Sequence, residues 1–443
     1  MKLPLKPPPF EELFPELINS GKYMELSKRF YGNAPKKYLH WDQLRHRQVP
    51  EGLTLKQWWS FIKTQRVAAS KNITLPDKQG KPFNYNMTES ISQVLHGIDM
   101  ESGGSIQIED KDIDPHTRDR YIIRSLIEEA ITSSQIEGAS TTRLVAKNLI
   151  QTGRKPRDRS EEMILNNYRA MESIRRLKNE PLTQELVFNI HEIITRGTLD
   201  EPTAAGRFRK ESEDIKVYWS EEKDTLVHVP PPASELPWRM KKMCEFANAK
   251  DDLGFIHPAI RSIILHFWLA YDHPFFDGNG RTARALFYWS MLHHGYWLFE
   301  FISISEIILK GRAQYVKAFL YTETDGNDLN YFITYHLRVI RRAVKSLHDY
   351  IARRTGELKE LESQVKSLAL LNHRQRDLIG SALRHPNRNY TVKSHQTVHS
   401  VVHQTARTDL FELVEMGLLE KRRLRRSWVF EPVAGLEEAL GKL

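Results

Sequence analysis

His273-Pro274-Phe275-Phe276-Asp277-Gly278-Asn279-Gly280-Arg281-Thr282-Ala283-Arg284 gathers an imidazole, a carboxylate, two glycines around an amide and two guanidiniums into one short run. Gly278-Asn279-Gly280 precedes an apolar-periodic segment, which predicts a tight turn feeding a helix N-terminus. The free N–H groups and partial positive charge of such an end suit a phosphate, and glycines let it approach the backbone. Arg281 and Arg284 share a face of the first turn. Cations are misplaced there unless an anion pairs with them, so the two forks and the backbone donors read as a polyphosphate clamp. Asp277 beside the clamp can hold Mg²⁺ bridging phosphate oxygens. His273 can accept the proton of an attacking hydroxyl, a role worth about 10²–10⁴ in rate. Plainer uses exist for each residue: a structural hydrogen bond for His273, a turn position for Asp277, or a metal pair at i, i+4 with no evident third ligand. Their coincidence favours the chemistry.

The elements that must position these residues are mostly helical. RDRYIIRSLIEEAITSSQIEG carries Ile122, Leu126, Ile127, Ala130 and Ile131 at helical spacing and stops at Gly138. Helical patterns follow at about 161–177, 183–196, 235–247 and 258–271, then from Arg281 to His294, and at roughly 303–322 and 327–353. Between Gly206 and Pro230, IKVYW and LVHV are short β-like runs, so a hairpin is expected at about 215–229, ended by Pro230-Pro231-Pro232. Upstream, LTLKQWWSFIKTQR reads as an amphipathic helix, the first ten residues as extended surface chain, and residues 100–115 as a turn-rich acidic connector. After Asn372 the order is helix, helix, turn, helix, then a basic two-stranded wing. The expected organisation is a mainly α fold in three parts: an N-terminal helical region (1–114), a catalytic core (115–355) and a winged-helix domain (365–443).

Gross composition narrows the class. The 443 residues are 40% hydrophobic and 27% charged, ordinary for a globular protein with a core. A net charge of +9 favours acidic partners such as nucleotides or nucleic acid. The lone Cys244 excludes an internal disulfide framework and reads as an inert core thiol in a reducing compartment. No apolar run is long enough for a signal peptide or a bilayer span, so no membrane partner and a cytoplasmic location are expected.

The motif resembles the Fic family signature, H-x-F-x-D/E-G-N-G-R-x-x-R, with His273, Phe275, Asp277, Gly278, Asn279, Gly280, Arg281 and Arg284 at every fixed position. The resemblance runs from about residue 38 to about Val344. It implies transfer of AMP from ATP to a Tyr, Thr or Ser hydroxyl of a target protein, the protein itself included. His273 would be the general base and Asp277 would bind Mg²⁺. Gly278, Asn279 and Gly280 would line the anion hole, with Arg281 at the β-phosphate and Arg284 at the γ-phosphate. Many members carry Asn-Arg-x-x-Tyr-Tyr in a later helix near the adenine; here Gly311-Arg312-Ala313-Gln314-Tyr315-Val316 stands instead.

SSQIEG adds a brake. Glu137 ends its helix, where a carboxylate opposes the dipole and is better placed beside a cation. The stretch resembles the family's inhibitory motif, S/T-x-x-x-E-G/N, through Ser133, Glu137 and Gly138, which implies that Glu137 pairs with Arg284 and takes the cation that the γ-phosphate needs. The hairpin precedes the motif, where the family has a flap that docks the target segment, here through Lys216, Val217 and Tyr218; a strand edge registers an extended peptide by its backbone. In the tail, TARTDLFELVEMGLL reads as a recognition helix with Arg407 near its exposed face, and Lys421, Arg422, Arg423, Arg425 and Arg426 as a basic wing suited to DNA phosphates. A homodimer is implied by the resemblance alone. Two other readings stay open: removal of AMP from a modified protein on the same site, and a DNA-binding regulator whose core senses nucleotide.

Overall fold

The computed structural model describes residues 2–30, 37–102, 115–219, 225–386, 388–424 and 427–442. They fall into two compact units: one holds the described residues up to 102 together with 124–344, the other 115–123 with 345–442. The fold is mainly α, with three separate two-stranded antiparallel sheets among the described residues. No helix among the described residues is long and apolar enough to cross a membrane.

The N-terminal part is α1 (Phe10–Asn19), α2 (Lys22–Arg29), α3 (Trp41–Leu44), α4 (Leu55–Ala69), the hairpin β1 (Lys71–Pro76) and β2 (Pro82–Tyr85), and α5 (Glu89–Ser102). Thr54 starts α4 by accepting from Gln57 N, while the Gln57 side chain bonds back to Thr54 N, a reciprocal cap. The β1–β2 hairpin was not legible: KNITLP and PFNY are short, and each carries the proline that marks an edge strand or none. Its partner is supplied from afar, since Asn84 bridges to Asp328. Residues 103–114, most of the expected connector, lie outside the described residues.

The core follows as α6 (Pro115–Ile136), α7 (Arg143–Thr152), α8 (Arg159–Leu177), α9 (Gln184–Thr195), the flap strands β3 (Val217–Tyr218) and β4 (Leu226–His228), α10 (Leu236–Ala247), α11 (Pro258–Asp272), α12 (Asn279–His293), α13 (Ile304–Leu309), α14 (Arg312–Thr324) and α15 (Asn330–Ser367). The helix expected over 303–322 is two: α13 stops at Leu309 and α14 restarts after Gly311, a residue that lowers helix stability. α15 in turn runs past 353 to Ser367. α11 and α12 pack against each other at the centre. α11 is buried on nearly every side, from Ala259 to Leu269, as expected of a helix that is apolar all round. Cys244 lies on α10, and burial pushes its thiol up to about 12, so it stays protonated and unreactive.

The C-terminal unit holds α16 (His373–Arg384), α17 (Val392–His399), α18 (His403–Glu415), the hairpin β5 (Leu419–Leu424) and β6 (Ser427–Pro432), and α19 (Leu436–Leu440). Its own core is built on Leu378, Ile379, Leu410, Leu413, Leu418 and Phe430. Arg425 and Arg426 lie outside the described residues.

Candidate functional site

α11 ends where the motif begins. Pro274 has no N–H to extend a helix and disfavours helical geometry in the residue before it. His273 accordingly turns left-handed, at φ 47°. Its Nδ1 lies 3.2 Å from the Ala270 carbonyl. A carbonyl only accepts, so Nδ1 carries the proton and Nε2 keeps its lone pair. Burial, the largest influence, holds the imidazole down to about 4. His273 is therefore a neutral base at pH 7 with its acceptor nitrogen uncommitted to that bond.

The loop from His273 to Gly278 is braced from several sides. Asn279 turns back on it: its Oδ1 accepts from Phe275 N (2.9 Å) and its Nδ2 donates to Phe275 O (2.8 Å). Phe275 is fully buried and stacks on His191 at 3.8 Å between ring centroids. His191 Nε2 donates to the Asp277 carbonyl at 2.8 Å, while its Nδ1 accepts from Gly206 N at 3.0 Å. Arg209 donates from Nε to the His273 carbonyl at 2.8 Å and from Nη2 to the carbonyl of Pro231, just beyond the flap. Gly278 caps α12 at φ 82°, and a Cβ there would lie 2.7 Å from Thr195 Cγ2. That position needs glycine on both counts.

α12 then presents its first turn. Arg281 is buried, donating from Nη1 to the Ile194 carbonyl at 3.1 Å, with Nη2 3.7 Å from Asp277 Oδ2. Arg284, equally buried, donates from Nε to Ser133 Oγ (2.8 Å), and from Nη2 to the Ser133 carbonyl (2.9 Å) and Glu137 Oε1 (2.8 Å). Two donors remain without a protein partner: Arg281 Nε and Arg284 Nη1. Buried unpaired guanidinium nitrogens are costly in a finished interior and mark a place where an acceptor is due. Burial acts downward on both arginines; in Arg281 it prevails, whereas Glu137 and Tyr315 hold Arg284 above its ordinary value.

The acceptor now in place is Glu137. It follows the end of α6, at Gly138 with φ 95°, and Ser133 one turn earlier puts both acceptors on Arg284. Desolvation pushes the Glu137 carboxyl up, but Arg284, Arg281 and Arg312 outweigh it and hold the group below the usual carboxylate range. A Cβ built on Gly280 would lie 2.2 Å from Glu137 Oε1. The carboxylate therefore rests directly on the first turn of α12, where a helix N-terminus takes an anion.

Asp277 is 43% exposed at the mouth; its Oδ1 accepts from Gly278 N, leaving Oδ2 3.7 Å and 3.8 Å from the Arg281 and Arg159 guanidiniums. No group of three or more metal-ligating side chains occurs among the described residues. A single carboxylate beside a phosphate seat still fits Mg²⁺, which takes one or two carboxylates and completes its shell with phosphate oxygens and water.

The structure thus gathers His273, Asp277, Gly278, Asn279, Gly280, Arg281, Arg284, Ser133, Glu137 and Gly138 around one helix end. Lys216, Val217 and Tyr218 stand apart on the flap: Lys216 pairs with Asp214 at 2.6 Å, and Val217 and Tyr218 face His228 and Leu226. The tip, 220–224, lies outside the described residues. His191, Arg209 and Glu129 are the residues that reading the sequence missed. Glu129, on α6, is buried and accepts from Tyr288 Oη (2.8 Å), Ser303 Oγ (2.8 Å), Ser305 N (3.1 Å) and Ser305 Oγ. Its signal was an acid set among the apolar positions of α6. Arg209 offered none, since its partners lie 22 and 64 positions away.

The helical architecture is that of solved Fic proteins. A Fic family protein from Desulfovibrio desulfuricans G20 superposes with a TM-score of 0.53 at 19% identity, over 79% of this chain and 98% of that one, a likeness of fold alone. Residues 181–291, from just before α9 into α12, match the Fic/DOC family model. Among curated relatives, "Protein adenylyltransferase Fic" from Nematostella vectensis is 28% identical over 173 residues, 38% of this chain and 38% of the relative. The protein of the same name from Aedes aegypti is 33% identical over 119 residues, 27% of this chain and 21% of the relative. The chain spans well under half the length of these relatives.

Proposed function

We propose that the protein transfers AMP from ATP to a Ser, Thr or Tyr hydroxyl of a protein, itself included, and that Glu137 holds this activity in check. The observation that carries the reading is an anion seat with a carboxylate already in it. Two buried arginines and a helix N-terminus converge on one point, each arginine keeps an unpartnered donor, and Glu137 lies across Gly280. The name of the curated relatives supports the same reaction.

In this reaction the acceptor hydroxyl attacks the α-phosphorus, its proton passes to Nε2 of His273, and the bond from that phosphorus to the β-phosphate oxygen breaks to release pyrophosphate. His273 needs no prior deprotonation because burial keeps it neutral. Gly278, Asn279 and Gly280 bring backbone donors to the phosphates, Arg281 holds the β-phosphate and Arg284 the γ-phosphate. Positioning and charge supply most of the catalysis. Mg²⁺ held by Asp277 would neutralise phosphate charge. While Glu137 holds Arg284, the γ-phosphate has neither its cation nor its space. Lys216, Val217 and Tyr218 offer the strand edge to which the target segment adds. The reducing cytoplasm fits the lone thiol.

The test is incubation of wild type, Glu137→Gly and His273→Ala with α-labelled ATP and Mg²⁺, following label in protein. Label should be low in wild type, rise at least tenfold in Glu137→Gly and vanish in His273→Ala. Equal labelling of wild type and Glu137→Gly would remove the brake. No label in any variant, with label lost instead from a pre-modified protein, would move the assignment to AMP removal.

A further inference from the structure

Charge on the C-terminal hairpin is sorted by face. Residues directly opposite in an antiparallel pair project to the same side, and neighbours along a strand project to opposite sides. Lys421 stands opposite Phe430 and Arg423 opposite Trp428, so Lys421, Arg423 and Trp428 share one side. Glu420 stands opposite Glu431, and Arg422 opposite Val429, so the two acids and Arg422 share the other. Arg422 is already neutralised there, with Nη2 2.5 Å from Glu431 Oε1. Among its described residues, the hairpin thus carries two cations without an ion pair on one face and its acids on the opposite one.

The cationic face is the one turned to α18. Lys421 Nζ lies 4.6 Å from the centroid of Phe411 on α18 and 5.7 Å from that of Trp428, and the Arg407 guanidinium lies 5.3 Å from the same Phe411 ring. Helix and hairpin therefore present one continuous surface with Phe411 at the seam. The orientation of α18 is fixed from its inner side by Asp409, which is buried and accepts from Arg374 (2.6 and 2.9 Å), Asn372 (2.7 Å) and His395 (3.1 Å). Gln404, Arg407 and Thr408, with Phe411 beside them, are left as a stripe facing outward at i, i+3, i+4 and i+7. Glu412, next on that stripe at i+8, is held by Gln375 Nε2 at 2.7 Å.

We propose that this surface binds double-stranded DNA, with α18 in the major groove and Lys421 and Arg423 on backbone phosphates. An α-helix of about 10–12 Å diameter fills a major groove of about 12 Å. Arg, Gln and Thr are the side chains whose geometry matches the guanine edge, the adenine edge and the thymine methyl group. The sorting of charge decides against a merely solvated basic run, since solubility needs no such segregation. The proposal is independent of the AMP-transfer reading, and His273→Ala leaves DNA binding unchanged.

The experiment is fluorescence anisotropy of the full chain with a labelled mixed-sequence duplex of about thirty base pairs, from about 50 to about 200 mM salt. Two phosphate contacts give a slope of log affinity against log salt near −1.8, or about a twelve-fold loss over that range. Lys421→Ala with Arg423→Ala should flatten the slope by about two, Arg407→Ala should weaken binding about ten-fold, and Arg422→Ala should change neither. Absence of duplex binding at the lowest salt overturns the proposal. So does equal sensitivity to Arg422→Ala and Lys421→Ala, which removes the sorted face. Equal affinity for the single strand removes the groove reading, and competition by polyglutamate at equal charge assigns the surface to an acidic protein instead.

Discussion

In the proposed reaction the loop from His273 to Gly278 and the flap would meet the substrates from two sides, and they are built oppositely. From His273 to Gly278 the backbone is held by side chains at alternate residues: Arg209 on His273, Asn279 on Phe275, His191 on Asp277. Among its described residues the flap has two paired rungs and is tied down near its base, where His228 Nδ1 meets Glu323 at 2.8 Å and Nε2 donates to the Tyr271 carbonyl at 2.7 Å. Groups that must meet a phosphorus within tenths of an ångström are buried and locked, because small misplacements are costly in rate. An edge that takes a variable peptide needs only backbone donors and acceptors.

Arg209 tests the first half of that contrast most severely. It touches no reacting atom in the proposed chemistry; it holds the carbonyl of His273 and ties it to Pro231 beyond the flap. In the Glu137→Gly background, Arg209→Lys should lower kcat by about 10²-fold with KM for ATP within about three-fold, since a point charge cannot span the carbonyls that a planar fork reaches. Steady-state kinetics read both numbers. A rise in KM with kcat unchanged would make Arg209 part of the nucleotide seat instead.

Glu129 tests whether the proposed brake is as firmly held as the loop it would obstruct. Its carboxylate gathers Tyr288, Ser303 and Ser305 around α6, two turns before Glu137. Glu129→Gln keeps the shape but turns an acceptor oxygen into a donor facing donors, a mismatch of about 1–3 kcal/mol. Label incorporation should rise about five-fold over wild type, less than in Glu137→Gly, as α6 loosens. Unchanged labelling alongside a lowered melting temperature would show that Glu129 serves the fold and not the brake.

The imidazole supplies a test with a sign. His273 is held at about 4 against an ordinary 6.5, so protonation is disfavoured in the folded chain. Between pH 6.5 and about 4 the unfolded chain binds a proton that the folded one does not, and stability falls as pH drops through that window. Activity follows the same group: at pH 5.5 an ordinary histidine is about 10% neutral, while His273 stays almost wholly so. The acid limb of kcat/KM in Glu137→Gly should therefore lie at or below about 4, since that variant removes a carboxylate that raises the imidazole. A limb at 6.5 would mean that the base is solvated.

Much of this was legible because it is local. The motif with its turn and helix start follows from spacings of one to eleven residues, the amphipathic helices follow from their apolar stripes, and Ser133 and Glu137 were singled out by the family resemblance. What was illegible is what tertiary structure supplies. Arg209 and His191 reach partners far along the chain, and the β1–β2 hairpin owes its edge to Asp328. The break between α13 and α14 turns on Gly311, a single residue inside an otherwise helical pattern.

Side-chain truncations on the flap give the smallest expected effects and the sharpest edge to the comparison. If peptide is registered by backbone alone, Lys216→Ala and Tyr218→Ala should each change labelling of an added peptide acceptor by less than two-fold, since Lys216 already pairs with Asp214. Proline differs from both, because it removes a donor and cannot serve a ladder. Val217→Pro should lower labelling of the peptide about ten-fold while nucleotide binding, read by ATP-dependent thermal shift, stays within error. A Tyr218→Ala effect as large as that of Val217→Pro would mean that the flap reads side chains after all, and that target choice begins at β3.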